Sequence, residues 1–209
     1  SIDNLARKAG LDFIVNVITD ATNRIVGAVA GDMVEAHRKG CGIAAAVFGV
    51  KIEKEYDIVI ADSYPFDIEF WQANKALDTA GEVVKKNGVI ILVSPCEEGL
   101  SITHEQQIKE YGYLPHRNIK ELVMQKSINK VVGVHMYQVS AAAVEKARLI
   151  IVSSGISKED SEKVGFRWAS NAQEAFNDAL SLITSKRPDI AVLRNASRML
   201  IIKELRNGK

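Results

Sequence analysis

Three residues within five positions have the types and spacing to act together: Trp71, Gln72 and Lys75, in the stretch FDIEFWQANKAL at 66–77. On a helix, Gln72 and Lys75 are three apart and share a face. Trp71 and Lys75 are four apart, so the indole can flank the lysine stem. Helical side chains lean toward the N-terminus, so Lys75 reaches back toward the start of its helix. A helix start also offers positive potential and N–H groups that an anion can use. An ammonium, an amide and that field suit a small carboxylate, through charge-assisted hydrogen bonds worth about 1.5–3 kcal/mol each. The same residues also fit ordinary helix surface, with Gln72 and Lys75 solvated and Trp71 covering core. Spacing alone leaves both readings open.

Other chemistry is sparse. Ser63, Ser94 and Ser153-Ser154 each follow an apolar run, where a parallel sheet binds its ligands. Serine there is also ordinary turn chemistry. There is no GxGxxG after a strand and no GxxxxGK[ST], so a conventional dinucleotide or ATP site is not expected. HExxH and GxSxG are missing too. Of the four histidines, His37 reads as structural and His104 and His116 as solvated. His135, after the run KVVGV, is placed at a further rim and is the one weighed for a role. Cys41 and Cys96 have no zinc spacing and read as reduced thiols of a cytoplasmic protein.

The elements that must position these residues follow from periodicity. LDFIVNVITD (11–20) and IVGAVAGD (25–32) read as a hairpin, and a helix spans about 33–48 with Asp32 as N-cap. Gly40 and Gly42 are expected to weaken or break it. Strands are predicted at 56–63, 88–95, 130–134, 147–154 and 189–193. Helices are predicted at 68–86, 102–111, 118–126, 137–145, 157–165 and 171–186. Such alternation specifies an α/β fold: an open, mostly parallel Rossmann-like sheet with helices on both faces, plus an N-terminal β-hairpin and helix. The expected division is 1–50 for the hairpin unit and 51–209 for the α/β domain.

Composition excludes several classes. The 27 basic and 26 acidic residues nearly cancel, so nucleic acid and anionic membrane are not expected partners. No apolar run has the eighteen or more residues of a membrane span, and no secretory signal is visible. The chain opens on Ser1 in amphipathic text, which reads as a chain entered in the middle.

The series AGLDFIVNVITD, GAVAGDMVEAHRKGC, DIVIADSYPFDIEFWQANKAL, GVIILVSPCEEG, GVHMYQVSAAAVEKARLIIVSS and GFRWASNAQEAFNDAL resembles the C-terminal part of nickel-pincer-dependent lactate racemases and their paralogues. The segments fall in the family's order over nearly the whole chain. The resemblance implies a two-domain isomerase, a racemase or epimerase, working in the cleft between its domains. It implies a nickel-pincer mononucleotide as cofactor, and hydride removal from the substrate's α-carbon with return to either face. The family's Gln-x-x-Lys substrate pair falls on Gln72 and Lys75, with Trp71 beside it where some members carry tyrosine. The cofactor lysine, the nickel-ligating histidine and the acid-base histidines belong to segments before Ser1. No catalytic residue, cofactor contact or metal ligand is therefore assigned to this chain.

A later substrate-side tryptophan found in some racemases has no match: GVHMYQV has none, and Trp168 lies too far on. That favours a 2-hydroxy acid related to lactate rather than lactate itself. The expectation is a substrate-side fragment, inactive alone, whose partners are a small 2-hydroxy acid and the N-terminal domain of the same protein. The alternative is a non-catalytic module that binds a small acid or nucleotide.

Overall fold

The computed structural model describes residues 2–204. They divide into two compact units: 2–51 with Arg198–Ile202, and Ile52–Ser197 with 203–204.

The smaller unit contains α1 (Ile2–Lys8), β1 (Phe13–Thr19), β2 (Ile25–Asp32) and α2 (Met33–Phe48). β1 and β2 pair antiparallel, with Phe13 opposite Asp32 and Ile18 opposite Gly27. The Asp20 carboxylate closes their turn by accepting from the Thr22 hydroxyl and the Thr22 and Arg24 amides. Asp32 caps α2 by accepting from the Val34 and Glu35 amides. α2 has the predicted bounds and runs unbroken through Gly40 and Gly42. A Cβ at Gly40 would lie 3.3 Å from Val29, so the missing side chain lets helix and hairpin approach. Ile18, Val29 and Ala36 form the core there. The opposite hairpin face carries Phe13, Val15 and Val17, which are 61%, 70% and 55% exposed.

β3 (Gly49–Ile52) follows, then β4 (Tyr56–Asp62), α3 (Phe70–Val83), β5 (Val84–Val93), α4 (Glu105–Tyr111), α5 (His116–Met124) and α6 (Lys130–Ala143). The chain continues through β6 (Arg148–Val152), α7 (Lys158–Lys163), β7 (Arg167–Ala169), α8 (Ala172–Leu182) and β8 (Ile190–Leu193). A final strand, β9 (Leu200–Lys203), pairs with β3. Among the described residues, β4 to β8 form one parallel sheet in the order β7-β6-β5-β4-β8.

The order dictates the layers. The chain steps from β4 to β7 in one direction, so right-handed crossovers place α3 to α7 on one face. The return past β4 to β8 reverses direction and puts α8 on the other. There Ala175 and Ala179 pack on Ile58, Val89, Ile91, Ile150 and Ala169. The alternate residues Val59, Ala61, Ile90, Leu92, Leu149 and Ile151 are also buried, as a doubly covered sheet requires.

Local readings fail at four places. The run KVVGV is no strand: it opens α6, capped by the Asn129 side chain on the Val131 amide. Its β-branched residues match a strand pattern, but only Val132 turns inward, with Met136 and Val139 following at helical spacing. The predicted helix at 137–145 is therefore the remainder of α6. α3 stops at Val83 rather than Lys86, because the sheet draws residues from Val84 on into β5. The short strands β3, β7 and β9 were not anticipated, being three or four residues long.

The β6–α7 turn carries a sharp packing constraint. A Cβ at Gly155 would stand 1.9 Å from the Cys96 carbonyl oxygen. Gly155→Ala is expected to destabilise the larger unit by about 1–3 kcal/mol. Urea unfolding followed by tryptophan fluorescence measures this, since Trp71 and Trp168 both lie in that unit.

Candidate functional site

The carboxyl edge of the sheet, where ligands were expected, is filled by the protein's own groups. Ser63 and Ser94 are buried and hydrogen-bond each other at 2.6 Å, and the Ser94 hydroxyl lies 3.0 Å from the Cys96 sulfur. Burial pushes the Cys96 thiol up to about 11, so it stays protonated and unreactive. Ser153 donates to the Pro95 carbonyl and accepts from the Gly155 and Ile156 amides. These serines tie loops together.

The start of α3 is closed as well. The Phe70 and Trp71 amides donate to the Gly99 and Leu100 carbonyls at 3.0 Å each, and those of Gln72 and Ala73 to Glu69. The Glu69 carboxylate leaves its own helix uncapped and accepts from the Ile102 amide at 2.6 Å. The free N–H groups expected at this helix start are thus occupied, because the loop 94–102 folds across it.

Open space lies beside the rim, in a cleft of about 480 Å³ between α3 and α6. Trp71, Gln72, Lys75 and Asp78 line one wall; Val131, Val134 and Gln138 line the other; Asn74 and His135 form the floor. The helices pack tightly where a Cβ at Gly81 would lie 2.8 Å from that of Ala142. The cleft occupies the opposite ends of both helices, toward the carboxyl edge of the sheet.

Within it, Lys75 Nζ donates to Gln72 Oε1 at 2.7 Å and sits 3.8 Å from the centre of the Phe66 ring. With its oxygen engaged by the ammonium, the Gln72 amide keeps its NH₂ group for a ligand. The pair is then a cluster of donors around one positive charge, suited to an anion. Trp71 does not flank Lys75. Its indole stacks on the His135 imidazole, centroids 3.9 Å apart and planes at 17°, with His104 at 4.9 Å.

His135 is a buried floor residue on a helix, not a rim residue after a strand. Nδ1 accepts from the Asn74 amide at 2.6 Å and Nε2–H donates to the Tyr113 hydroxyl at 2.8 Å. Burial, and secondarily His104, depresses its pKa to about 3, so the ring is neutral and saturated. Burial also raises Tyr113 well above the phenol range. His116 stacks on Tyr137 and bonds its carbonyl, and His37 lies 3.6 Å from Cys41. Among the described residues, no three His, Cys, Asp or Glu side chains converge as a metal site requires. None of the described helices is long and apolar enough to cross a membrane.

The structure thus brings Trp71, Gln72 and Lys75 to one cleft and separates the four histidines by role. Sequence reasoning missed Phe66, Asn74 and Tyr113. A buried asparagine in a helix was the one readable signal, since such a side chain needs a partner.

A five-stranded parallel sheet with helices on both faces and a small antiparallel hairpin defines a Rossmann-like α/β domain. Residues 51–201 match the lactate racemase C-terminal domain, and the chain belongs to that family. It is similar to lactate racemase of Thermoanaerobacterium thermosaccharolyticum, 42% identical over 97 residues (45% of this chain, 22% of that protein). The lactate racemase of Lactiplantibacillus plantarum is 37% identical over 95 residues, with the same shares covered. The solved lactate racemase apoprotein from T. thermosaccharolyticum superposes with a TM-score of 0.80 at 26% identity, covering 96% of this chain and 48% of that one. A Thermotoga maritima protein shares the fold, with a TM-score of 0.66 at 16% identity over 92% of this chain and 49% of that one. The chain thus spans about half the length of these solved proteins.

The floor predicts a pH dependence. Between pH 6.5 and about 3 the unfolded chain protonates His135 and the folded chain does not. Its contribution to stability is therefore complete above pH 6.5 and declines as pH falls, by up to about 1.4 kcal/mol per unit. Wild type should lose about 2 kcal/mol more than His135→Gln between pH 7 and pH 5, measured by urea unfolding. Equal losses would contradict the saturated neutral ring.

Proposed function

We propose that this chain is the substrate-side part of a nickel-pincer-dependent racemase or epimerase, an isomerase acting on a small 2-hydroxy acid. Lys75 offsets the charge of the substrate carboxylate, Gln72 orients it through its NH₂ group, and Trp71 forms the adjoining wall. Holding the acid in one pose is the contribution of these residues, since orientation lowers the entropic part of a barrier. The observation that carries the reading is the Lys75–Gln72 contact at 2.7 Å, on the wall of a cleft in a chain of this family.

The resemblance implies hydride abstraction from the α-carbon and its return to either face. Among the described residues no three His, Cys, Asp or Glu side chains converge as a nickel site requires, and both ring nitrogens of His135 are engaged. The reading accordingly assigns the cofactor and the acid-base groups to an N-terminal domain outside this chain. The exposed Phe13, Val15 and Val17 support the same view, as a surface that the other domain would cover. By this reading the hairpin unit belongs to, or bridges from, that domain, the fragment alone is inactive, and the enzyme works in the cytoplasm.

Lys75→Ala in the full-length protein is expected to lower kcat/KM roughly ten- to a hundredfold. Nickel content and melting temperature should be retained, because Lys75 is exposed and no buried group depends on it. Phe66→Leu, which removes only the ring face beneath the ammonium, should cost about two- to fivefold. Steady-state racemisation rates with nickel analysis measure both. Unchanged kinetics for Lys75→Ala with every accepted acid would sink the carboxylate role.

A further inference from the structure

The α6 wall of the cleft has a chemistry of its own. Val131 and Val134 are 57% and 61% exposed, while Val132, His135, Met136 and Val139 of the same helix are buried. The helix thus presents two branched apolar side chains on its cleft side without any packing need of its own core. They are three apart and form one patch. Gln138 extends the same row, four residues on, as a polar end. α6 is held from behind by α5: a Cβ at Gly133 would lie 2.4 Å from Val123, so the helix cannot retreat from the cleft. The wall is preformed.

Across the cleft stand the ammonium of Lys75 and the amide of Gln72, with the Trp71 indole pinned beside them on His135. A molecule that satisfies both walls carries a carboxylate at one end and an apolar group at the other. A three-carbon acid offers only a methyl, against a cleft of about 480 Å³.

We propose that Val131 and Val134 form a specificity surface for the substrate's side chain. The favoured substrates are 2-hydroxy acids with a branched aliphatic side chain, ahead of lactate and of acids with a second carboxylate. This rests on the assignment of Lys75 and Gln72 to the carboxylate. The second carboxylate of a dicarboxylic acid would be desolvated against the valine methyls, with no cation among the residues that line that wall.

The test compares the full-length wild type with Val131→Thr/Val134→Thr, which keeps shape and removes apolar character on exposed positions. Racemisation is measured for lactate, 2-hydroxybutanoate, 2-hydroxy-4-methylpentanoate and malate. Wild type should favour 2-hydroxy-4-methylpentanoate over lactate by about tenfold or more in kcat/KM. The double variant should reduce that ratio to about threefold or less. A ratio unchanged by the substitutions, or a wild type that favours lactate or malate, would overturn the proposal.

A second measurement separates its failure from that of the racemase reading. Valine-methyl resonances of this chain are followed by ¹³C-edited NMR during titration with 2-hydroxy-4-methylpentanoate and with malate. Saturable shifts of the Val131 and Val134 methyls with the former alone, lost in Lys75→Ala, support the surface even if no acid is turned over. Methyls that do not respond at saturating acid overturn it, whatever the enzyme's activity.

Discussion

The neutral imidazole of His135 is the constraint on which the site depends. It lies between α3 and α6, with each ring nitrogen committed and one face covered by the Trp71 indole. Asn74 ties it to α3, and Tyr113 ties it to the segment before α5. A protonated ring could not accept from Asn74, and its charge would be buried. The low pKa, the indole stack and the spacing of the two helices are consequences of one arrangement. The cleft stays open because its floor is this saturated network rather than interdigitated apolar side chains, which would draw the helices together along their full length. Where small residues replace the network, at Gly81 and Ala142, the helices do close.

The sheet places that cleft but does not line it. Strand order β7-β6-β5-β4-β8 makes β4 the point where chain direction reverses, and α3 leaves from its carboxyl end. In folds of this kind the crevice above such a point usually takes the ligand. Here the loop 94–102 folds across the start of α3, its Gly99 and Leu100 carbonyls accepting from the Phe70 and Trp71 amides, and Ser94 accepts from the Ser63 hydroxyl. Unpaired amides at a buried helix start are costly, so a loop that satisfies them is retained. The open cleft lies beside it, where α3 presents Gln72 and Lys75.

Legibility in the sequence followed the range of the interactions concerned. Strands such as VIILV and RLIIV, buried on both faces, announced themselves as continuous apolar runs. The pairing of Gln72 with Lys75 was readable too, because helical spacing of three is a local property. KVVGV misled because β-branched residues serve either state, and what decided was the burial of Val132, Met136 and Val139 at helical spacing. His135 was placed at a rim for the same reason. Phe66 under Lys75 and Tyr113 at His135 join residues nine and twenty-two positions apart, which no local pattern encodes.

Local pattern set the alternation of buried strands and amphipathic helices, hence a parallel sheet covered on both faces, and put an amide and an ammonium on one helical face. It could do so because hydrophobic period and helical geometry act over a few residues. Long-range contacts closed the helix start, laid Trp71 on His135 rather than along Lys75, and set Val131 and Val134 across an open cleft from Lys75. Each of those outcomes depends on which distant group reaches a hydrogen-bonding or apolar surface first. That competition is settled by packing, not by the order of residues along the chain.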